Sequence, residues 1–282
     1  MKYYCHDGEF LPEVHDHFTQ LNRGLLYGEG VFENIKVEEG KILFMEQHLQ
    51  RLQAGCAVLG LSSINSDILR ANLLKMVATN DIFEGTLRLM VAGGQNKGIL
   101  PNITSTSVYY ITSKRGRPYP PDVYARGFRC FVSSIRRNPF SPVTYLKSLN
   151  YLENILARKE AAEEDCDEAI FLNTAGYLTE GSISNLFLVV GEKILTPEIP
   201  CGLLEGITRT AIIDICAANK FPLEEGKYTI DKLLTADEAF LTNSVMGVMP
   251  LAMVAGRAVS HGEPGRMTAR ISHLYRKFFK TV

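Results

Sequence analysis

The chain has no C-x-x-C pair. Its six cysteines, Cys5, Cys56, Cys130, Cys166, Cys201 and Cys216, lie far apart, so the spacings of a zinc site or a dithiol redox centre are missing. At 282 residues the chain needs no disulfide framework to hold a core, and reduced thiols in a cytoplasmic protein are expected. No run of about 18 apolar residues occurs, which excludes a transmembrane helix. The opening "MKYYCHDGEF" lacks the apolar centre of a signal peptide. Neither sign of charge is in excess: 30 Lys and Arg stand against 31 Asp and Glu, for a net −1. That balance gives no electrostatic reason for binding nucleic acid or an anionic membrane. Internal repeats and low-complexity tracts are also lacking.

What is there is an ordinary globular composition, 46 % hydrophobic and 22 % charged, enough for one large domain or two smaller ones. "VFENIKV" and "KILFM" flank "EEG" (Glu38 to Gly40), the pattern of a β-hairpin. "EQHLQRLQAGCAVLG" places Leu49, Leu52, Cys56 and Leu59 at helical spacing. A second helix is expected over Ser66 to Thr79, capped by Asn65 or Ser66. "GTLRLMVAGG" and "TSVYYITSK" read as strands. The Pro- and Gly-rich "RGRPYPPDVYARG" then reads as a stiff linker. It divides the chain into an N-terminal α/β domain over residues 1–115, a linker over 116–126 and a C-terminal domain over 127–282. In the latter, "FRCFVSS", "EAIFLN", "NLFLVV", "KILTP", "EAFLTN" and "PLAMVAG" read as strands. Helices are expected over Ile207 to Asn219 and Met267 to Phe279. The fold class is a two-lobed α/β (α+β) protein.

"TYLKSLNYLENILARKEA" holds an odd residue. Its second half has a helical apolar face, Leu149, Leu152 and Leu156, and Lys147 stands at the mouth of the segment. A lysine there either snorkels, with its stem buried and its ammonium wet, or acts as an amine nucleophile towards an aldehyde. The aldehyde of pyridoxal 5′-phosphate (PLP) is one such partner, and a PLP site has further requirements. An acidic residue must keep the pyridine nitrogen protonated; Glu180, in "GYLTEGSISNLFLVV", suits this, or is a turn glutamate. A helix N-terminus must receive the phosphate. "CGLLEGITRTAIIDICAA" offers one, with Gly206 allowing close approach and Ile207 and Thr208 presenting N–H groups and a hydroxyl. The ordinary alternative is a plain helix start. Arg51, in "HLQRL", could grip a phosphate bidentately or lie in solvent. Asn243 and Ser244, in "FLTNSVMGVMP", could donate to phosphate oxygens or cap a loop.

Together and in this order, "RGLLYGEGVFENIKV", "HLQRL", "LKSLNYLENILARKEA", "EAIFLNTAGYLTEGSISNLFLV", "GLLEGITR" and "FLTNSVMGVMP" resemble class IV aminotransferases, the fold-type IV PLP enzymes. That family includes branched-chain aminotransferases, D-amino-acid aminotransferases and aminodeoxychorismate lyase. The likeness covers nearly the whole chain, and "LTEGSISNLF" and "GITR" are its most specific blocks. It implies two α/β lobes with PLP between them, a D-amino-acid aminotransferase-like fold, and a homodimer in which a partner loop closes each site. By position, Lys147 matches the Schiff-base lysine and Glu180 the partner of the pyridine nitrogen. Arg51, Ile207, Thr208 and Ser244 match phosphate ligands, with Asn243 beside them. Tyr151 is placed near a tyrosine that bonds the cofactor's phenolic oxygen in branched-chain enzymes, where the spacing is one residue longer. It could also be helix packing. Lys147, once released, would take the substrate's α-proton; reprotonation would complete half a transamination, and expulsion of a leaving group would give elimination.

The particular member is harder to read. D-amino-acid enzymes carry an arginine after the "GTLRLMVA" strand, and Gly93 and Gly94 stand there instead. Arg88 matches a branched-chain-type arginine facing a substrate carboxylate, or is an exposed strand residue. Tyr27 and Phe32 fall where the family lines its substrate pocket, or in plain core. Asn243-Ser244 replaces the branched-chain Gly-Thr pair and looks more like the lyase, and "LKSLNYLEN" lies nearer the lyase and D-amino-acid pattern than the branched-chain one. The leading expectation is transamination between an L-amino acid of branched-chain type and a 2-oxo acid. The alternatives are aminodeoxychorismate lyase and, remotely, a catalytically silent binding protein.

Overall fold

The structure, a computed structural model, describes residues 2–13, 22–94, 106–259 and 262–281. The chain forms two compact units. The first comprises Met1–Pro118 with Leu146–Asn150, and the second Tyr119–Tyr145 with Tyr151–Val282.

In the first unit the elements are β1 (Tyr3–His6), β2 (Glu9–Pro12), α1 (Arg23–Tyr27), β3 (Gly30–Glu38), β4 (Lys41–Ile42), α2 (Met45–Val58), α3 (Ser66–Thr79), β5 (Gly85–Gly93) and β6 (Ser107–Arg115). The strands form one antiparallel sheet in the order β2-β1-β6-β5-β3-β4. The expected hairpin is present. Glu39 and Gly40 at its tip both have positive φ, 52° and 74°, the twist that suits tight antiparallel connections. Only the first two residues of "KILFM" pair, because α2 begins at Met45. Asn65 caps α3 by accepting from the Asp67 N–H.

Alternation decides which side of this sheet is core. Val31, Ile35 and Val37 of β3 and Leu87, Leu89 and Val91 of β5 pack against Leu49, Leu52 and Cys56 of α2 and Leu69, Leu73 and Met76 of α3. The opposite parity carries Phe32 and Asn34, and in register with Asn34 lies Arg88. β4 covers only the last two residues of β3. Further back, the free edge of β3 is taken by residues far along the chain. The Phe32 N–H donates to the Lys147 carbonyl (2.9 Å), the Leu149 N–H donates to the Gly30 carbonyl (2.8 Å), and Val31 bridges Ser148 in antiparallel fashion.

The second unit contains α4 (Pro121–Arg126), β7 (Phe128–Arg137), α5 (Leu152–Glu163), β8 (Glu168–Asn173), β9 (Leu178–Gly181), β10 (Asn185–Val190), β11 (Lys193–Pro197), α6 (Ile207–Ala218), β12 (Leu223–Gly226), α7 (Ile230–Leu234), β13 (Glu238–Asn243), β14 (Gly247–Val254), β15 (Arg257–Ala258) and α8 (Arg266–Thr281). Its strands run β12-β11-β10-β13-β14-β7-β8-β9, with β15 on β14, and β9 also pairs with β10. That last pairing, Glu180 opposite Asn185, joins the path back on itself. β10, β13, β14, β7, β8 and β9 thus form a closed circuit.

Two expectations need correcting here. The stretch 116–126 is not linker throughout: it contains α4, and Val123 and Tyr124 pack on the second unit's core. The apolar face foreseen for the helix after Lys147 is also not its buried face. Leu149 precedes α5, while Leu152 and Leu156 are 61 % and 43 % exposed. The buried face is Asn154, Ala157 and Ala161. The alanines let the helix lie close on Ala169 and Phe171 of β8, which larger side chains would hold away.

Candidate functional site

Lys147 does not lie at the mouth of a helix. It is part of the extended segment that completes the free edge of β3, five residues before α5 begins. Its Nζ lies 4.6 Å from the centre of the Phe32 ring. The guanidinium carbon of Arg88 lies 4.3 Å from the centre of the same ring. Phe32 is buried, and its π system attracts both cations. Lys147, Phe32 and Arg88 therefore come together within the first unit. Tyr27 ends α1 just before Gly28 (φ 68°). It is half-exposed, with the Arg23 guanidinium over its ring at 5.1 Å.

Arg51 is part of a network that the sequence did not reveal. Glu33 shares the core parity of β3 with Val31 and Ile35 and is buried. Arg51 donates to it bidentately, Nε to Oε1 at 2.7 Å and Nη2 to Oε2 at 2.6 Å. His48 Nδ1 lies 2.7 Å from Oε2. Burial alone would raise the Glu33 carboxyl. The charge and hydrogen bonds of Arg51, with help from His48, override it and hold the group down to about 2. His48 is pushed below its ordinary value, chiefly by burial, against the pull of Glu33; Arg51 and Lys147 add to the lowering. A neutral imidazole donating through Nδ1 leaves Nε2 as an acceptor, and that atom is buried with no hydrogen-bond partner among the described residues. The available signal was a glutamate at core parity in an alternating strand.

In the second unit α6 starts at Ile207, with Gly206 as its N-cap and no side-chain cap. The first N–H groups of such a helix have no intrahelical acceptor. A Cβ at position 206 would sit 2.0 Å from Asn185 Oδ1, so glycine is required by contact. The Thr208 hydroxyl is buried and has no partner among the described residues. An unsatisfied buried hydroxyl costs about 1–3 kcal/mol. Beside uncapped N–H groups it fits a phosphate oxygen, so the donor set suits PLP.

Glu180 stands at the strand pair that closes the circuit and is buried. Its Oε2 accepts from the Leu204 N–H (3.1 Å), and Arg137 Nη2 lies 3.5 Å from Oε1. Tyr151, the N-cap of α5, donates through its hydroxyl to the Ser182 carbonyl (2.9 Å). Asn243 donates through Nδ2 to the Ile183 carbonyl (3.0 Å), and its Oδ1 receives the N–H groups of Val245 and Met246 (2.9 and 2.8 Å). That amide therefore organises the turn that follows β13, in which Ser244 lies. Tyr151 and Asn243 thus both bond the short turn 181–184, which Glu180 immediately precedes in sequence. Arg137 was missed because its strand, β7, shows no signal that separates a site cation from a surface one.

Residues 30–254 match the model of the family described as amino-transferase class IV. The chain belongs to that family, whose members are PLP-dependent enzymes. It is 31 % identical over 281 residues to the aminodeoxychorismate lyase of Bacillus subtilis (strain 168), covering 98 % of this chain and 94 % of that one. Among solved structures, a branched-chain amino acid aminotransferase of Escherichia coli superposes with a TM-score of 0.93 at 26 % identity, covering 99 % and 94 % of the two chains. The branched-chain aminotransferase of Thermoproteus uzoniensis, solved with norvaline, superposes at 0.90 and 28 % identity, covering 99 % and 94 %. Relatives named D-alanine aminotransferase match as well. The fold is that of fold-type IV enzymes.

Proposed function

We propose that this chain is a PLP-dependent aminotransferase that moves an amino group between an L-amino acid of branched-chain type and a 2-oxo acid. The observation that carries the reading is the pair of cations on Phe32: the Lys147 amine and the Arg88 guanidinium lie 4.6 and 4.3 Å from one ring centre. One ring thus gathers an amine whose deprotonated form can act as nucleophile and base and a guanidinium able to hold a substrate carboxylate. The architecture shared with branched-chain aminotransferases supports it. The surroundings of Gly93 and Gly94, where β5 ends, speak against a D-specific enzyme. A Cβ at Gly93 would lie 2.6 Å from Glu29 Oε2, a side-chain end that would have to shift, and one at Gly94 2.0 Å from the Thr106 carbonyl oxygen, so an arginine at position 94 would require the backbone to move.

PLP, when bound, supplies an aldehyde for the amine and a protonated ring that withdraws electrons. In this reading Lys147 would hold the cofactor and, once released, would take the substrate's α-proton at Nζ. Glu180, its rotamer fixed by the Leu204 N–H, holds the proton on the ring nitrogen. Arg51, the Ile207 and Thr208 N–H groups, the Thr208 hydroxyl and Ser244 bind the phosphate, with Asn243 shaping the turn. Tyr151, its hydroxyl proton given to the Ser182 carbonyl, would offer the phenolic oxygen an acceptor. Arg88 orients the substrate carboxylate, and Tyr27 and Phe32 line its pocket.

The second reading, aminodeoxychorismate lyase, is favoured by Asn243 where branched-chain enzymes carry glycine and by the Bacillus subtilis relative. We further infer a homodimer in the cytoplasm. Phe140, Leu152, Ile155 and Leu156 of the second unit are exposed apolar residues that a second copy would cover, and no described helix is long and apolar enough to cross a membrane. The test is absorption spectroscopy of the PLP-loaded protein with L-leucine, L-glutamate and aminodeoxychorismate added in turn. Bleaching of the visible band by an amino acid is the expected result. A band indifferent to both amino acids, with 4-aminobenzoate released from aminodeoxychorismate, identifies the lyase. No band after PLP addition overturns the cofactor reading and leaves a silent binding protein.

A further inference from the structure

Glu168, the first residue of β8, is fully buried, and nothing above uses it. Its carboxylate faces the turn 181–184. Oε1 accepts from the Ala169 N–H (2.8 Å), the Ser182 N–H (3.1 Å) and the Ser182 hydroxyl. Oε2 accepts from the Ile183 N–H (3.3 Å) and the Ser184 hydroxyl (3.0 Å). Arg158 Nη1 lies 3.7 Å from Oε1. All but one of these hydrogen bonds come from consecutive residues of one turn. The same side chains pack closely over Gly181, where a Cβ would meet Ser184 Oγ at 2.2 Å and Glu168 Oε2 at 3.1 Å.

What the turn holds gives the contact its meaning. The Ser182 carbonyl accepts from the Tyr151 hydroxyl (2.9 Å) and from Asn154 Nδ2 (2.5 Å), and the Ile183 carbonyl accepts from Asn243 Nδ2 (3.0 Å). Glu180 immediately precedes the turn. One carboxylate fixes the N–H side of the same two residues whose carbonyls fix Tyr151 and Asn243. Such a saturated network is rigid, and loss of one member is felt by the others.

We propose that Glu168 is a positioning residue for the cofactor: by clamping residues 182–184 it sets Tyr151, Asn243 and Glu180 as a group. This rests on the roles given to those three residues under Proposed function. It is tested on the full chain loaded with PLP, comparing wild type, Glu168→Gln, Tyr151→Phe and the double variant. The readouts are PLP affinity by equilibrium dialysis and the pH midpoint of the visible cofactor band. Expected are PLP binding at least tenfold weaker in Glu168→Gln and a midpoint displaced in the same direction as in Tyr151→Phe. The double variant should be displaced no further than the larger single one. Wild-type affinity and midpoint in Glu168→Gln, whatever its melting temperature, or displacements that simply add, would make Glu168 a folding residue only and overturn the proposal. If Glu168→Gln does not fold, Ser184→Ala, which removes one donor to Oε2, decides in its place. A smaller displacement of the same sign supports the proposal, and none overturns it. A wild-type protein without a band fails at the first step, which distinguishes failure of the cofactor reading.

Discussion

Glu33 and Glu168 are both carboxylates sealed from water, one in each unit, and they are solvated in opposite ways. Glu33 is surrounded by cationic and imidazole nitrogen, with Arg51 held bidentately and His48 alongside. Glu168 is surrounded mainly by amide N–H groups and hydroxyls. Charge compensates the first and geometry the second. Charge compensation tolerates small movements but answers to pH and to loss of a partner. A cage made mostly of neutral donors, with Arg158 at 3.7 Å, depends on a turn keeping its shape. The candidate site residues of the first unit are thus set by charges on one sheet and helix, and those of the second mainly by donors held at turns and a helix start.

The largest effect should come from the charged side. Lys147→Ala is expected to lower kcat by at least about 10³-fold, with unchanged circular dichroism; a fully active variant would remove Lys147 from the chemistry. Next comes Arg51→Ala, which strands a buried carboxylate and should destabilise by about 3–5 kcal/mol in denaturant unfolding. A loss under about 1 kcal/mol would mean that solvent reaches Glu33 and that the contrast with Glu168 is false. Third is the pH response. The folded Glu33 carboxyl titrates at about 2 against an ordinary 4.5, so between these values the unfolded chain binds the extra proton. Glu33 then contributes stability above pH 4.5 that is lost as pH falls towards 2, up to about 3 kcal/mol. Glu33→Gln should lack this component, which unfolding curves across that window would show. The smallest effect on stability is expected at the start of α6. Thr208→Ala removes an unsatisfied hydroxyl, so the PLP-free protein should be as stable as wild type or up to about 1 kcal/mol more. PLP affinity should still fall about tenfold, as for one lost hydrogen bond to a charged group. A destabilised PLP-free protein with normal affinity would assign the hydroxyl to the fold.

Much of this was legible because it is local. The hairpin at Glu39-Gly40, the Asn65 cap and the strands "EAIFLN", "NLFLVV" and "EAFLTN" follow from alternation and turn residues that act within a few positions. The candidate site residues were legible through family resemblance, and Gly206 and Thr208 also through helix-start chemistry. What was not legible depends on partners distant in sequence. Lys147 seemed to belong to the helix that follows it, because no local pattern shows that residues 147–149 pair with residues 30–32. The Leu152 and Leu156 stripe suggested the wrong face, since periodicity records apolar residues and not what covers them. Glu168 gave no sign, because its partners lie in a turn fourteen to sixteen positions later.

The late arrival of the Lys147 segment has a consequence for how the first unit is made. Until residues 146–150 emerge during synthesis, the front half of β3 presents bare N–H and C=O groups along one side, a template on which another chain can add. The lysine to which we assign the chemistry is thus also a residue that seals this edge, and bringing it there closes a loop of more than a hundred residues, the kind of distant pairing that slows folding. A chain ending at Pro118 would leave this edge without its pairing segment, and a short extended peptide carrying residues 146–150 would be its natural plug.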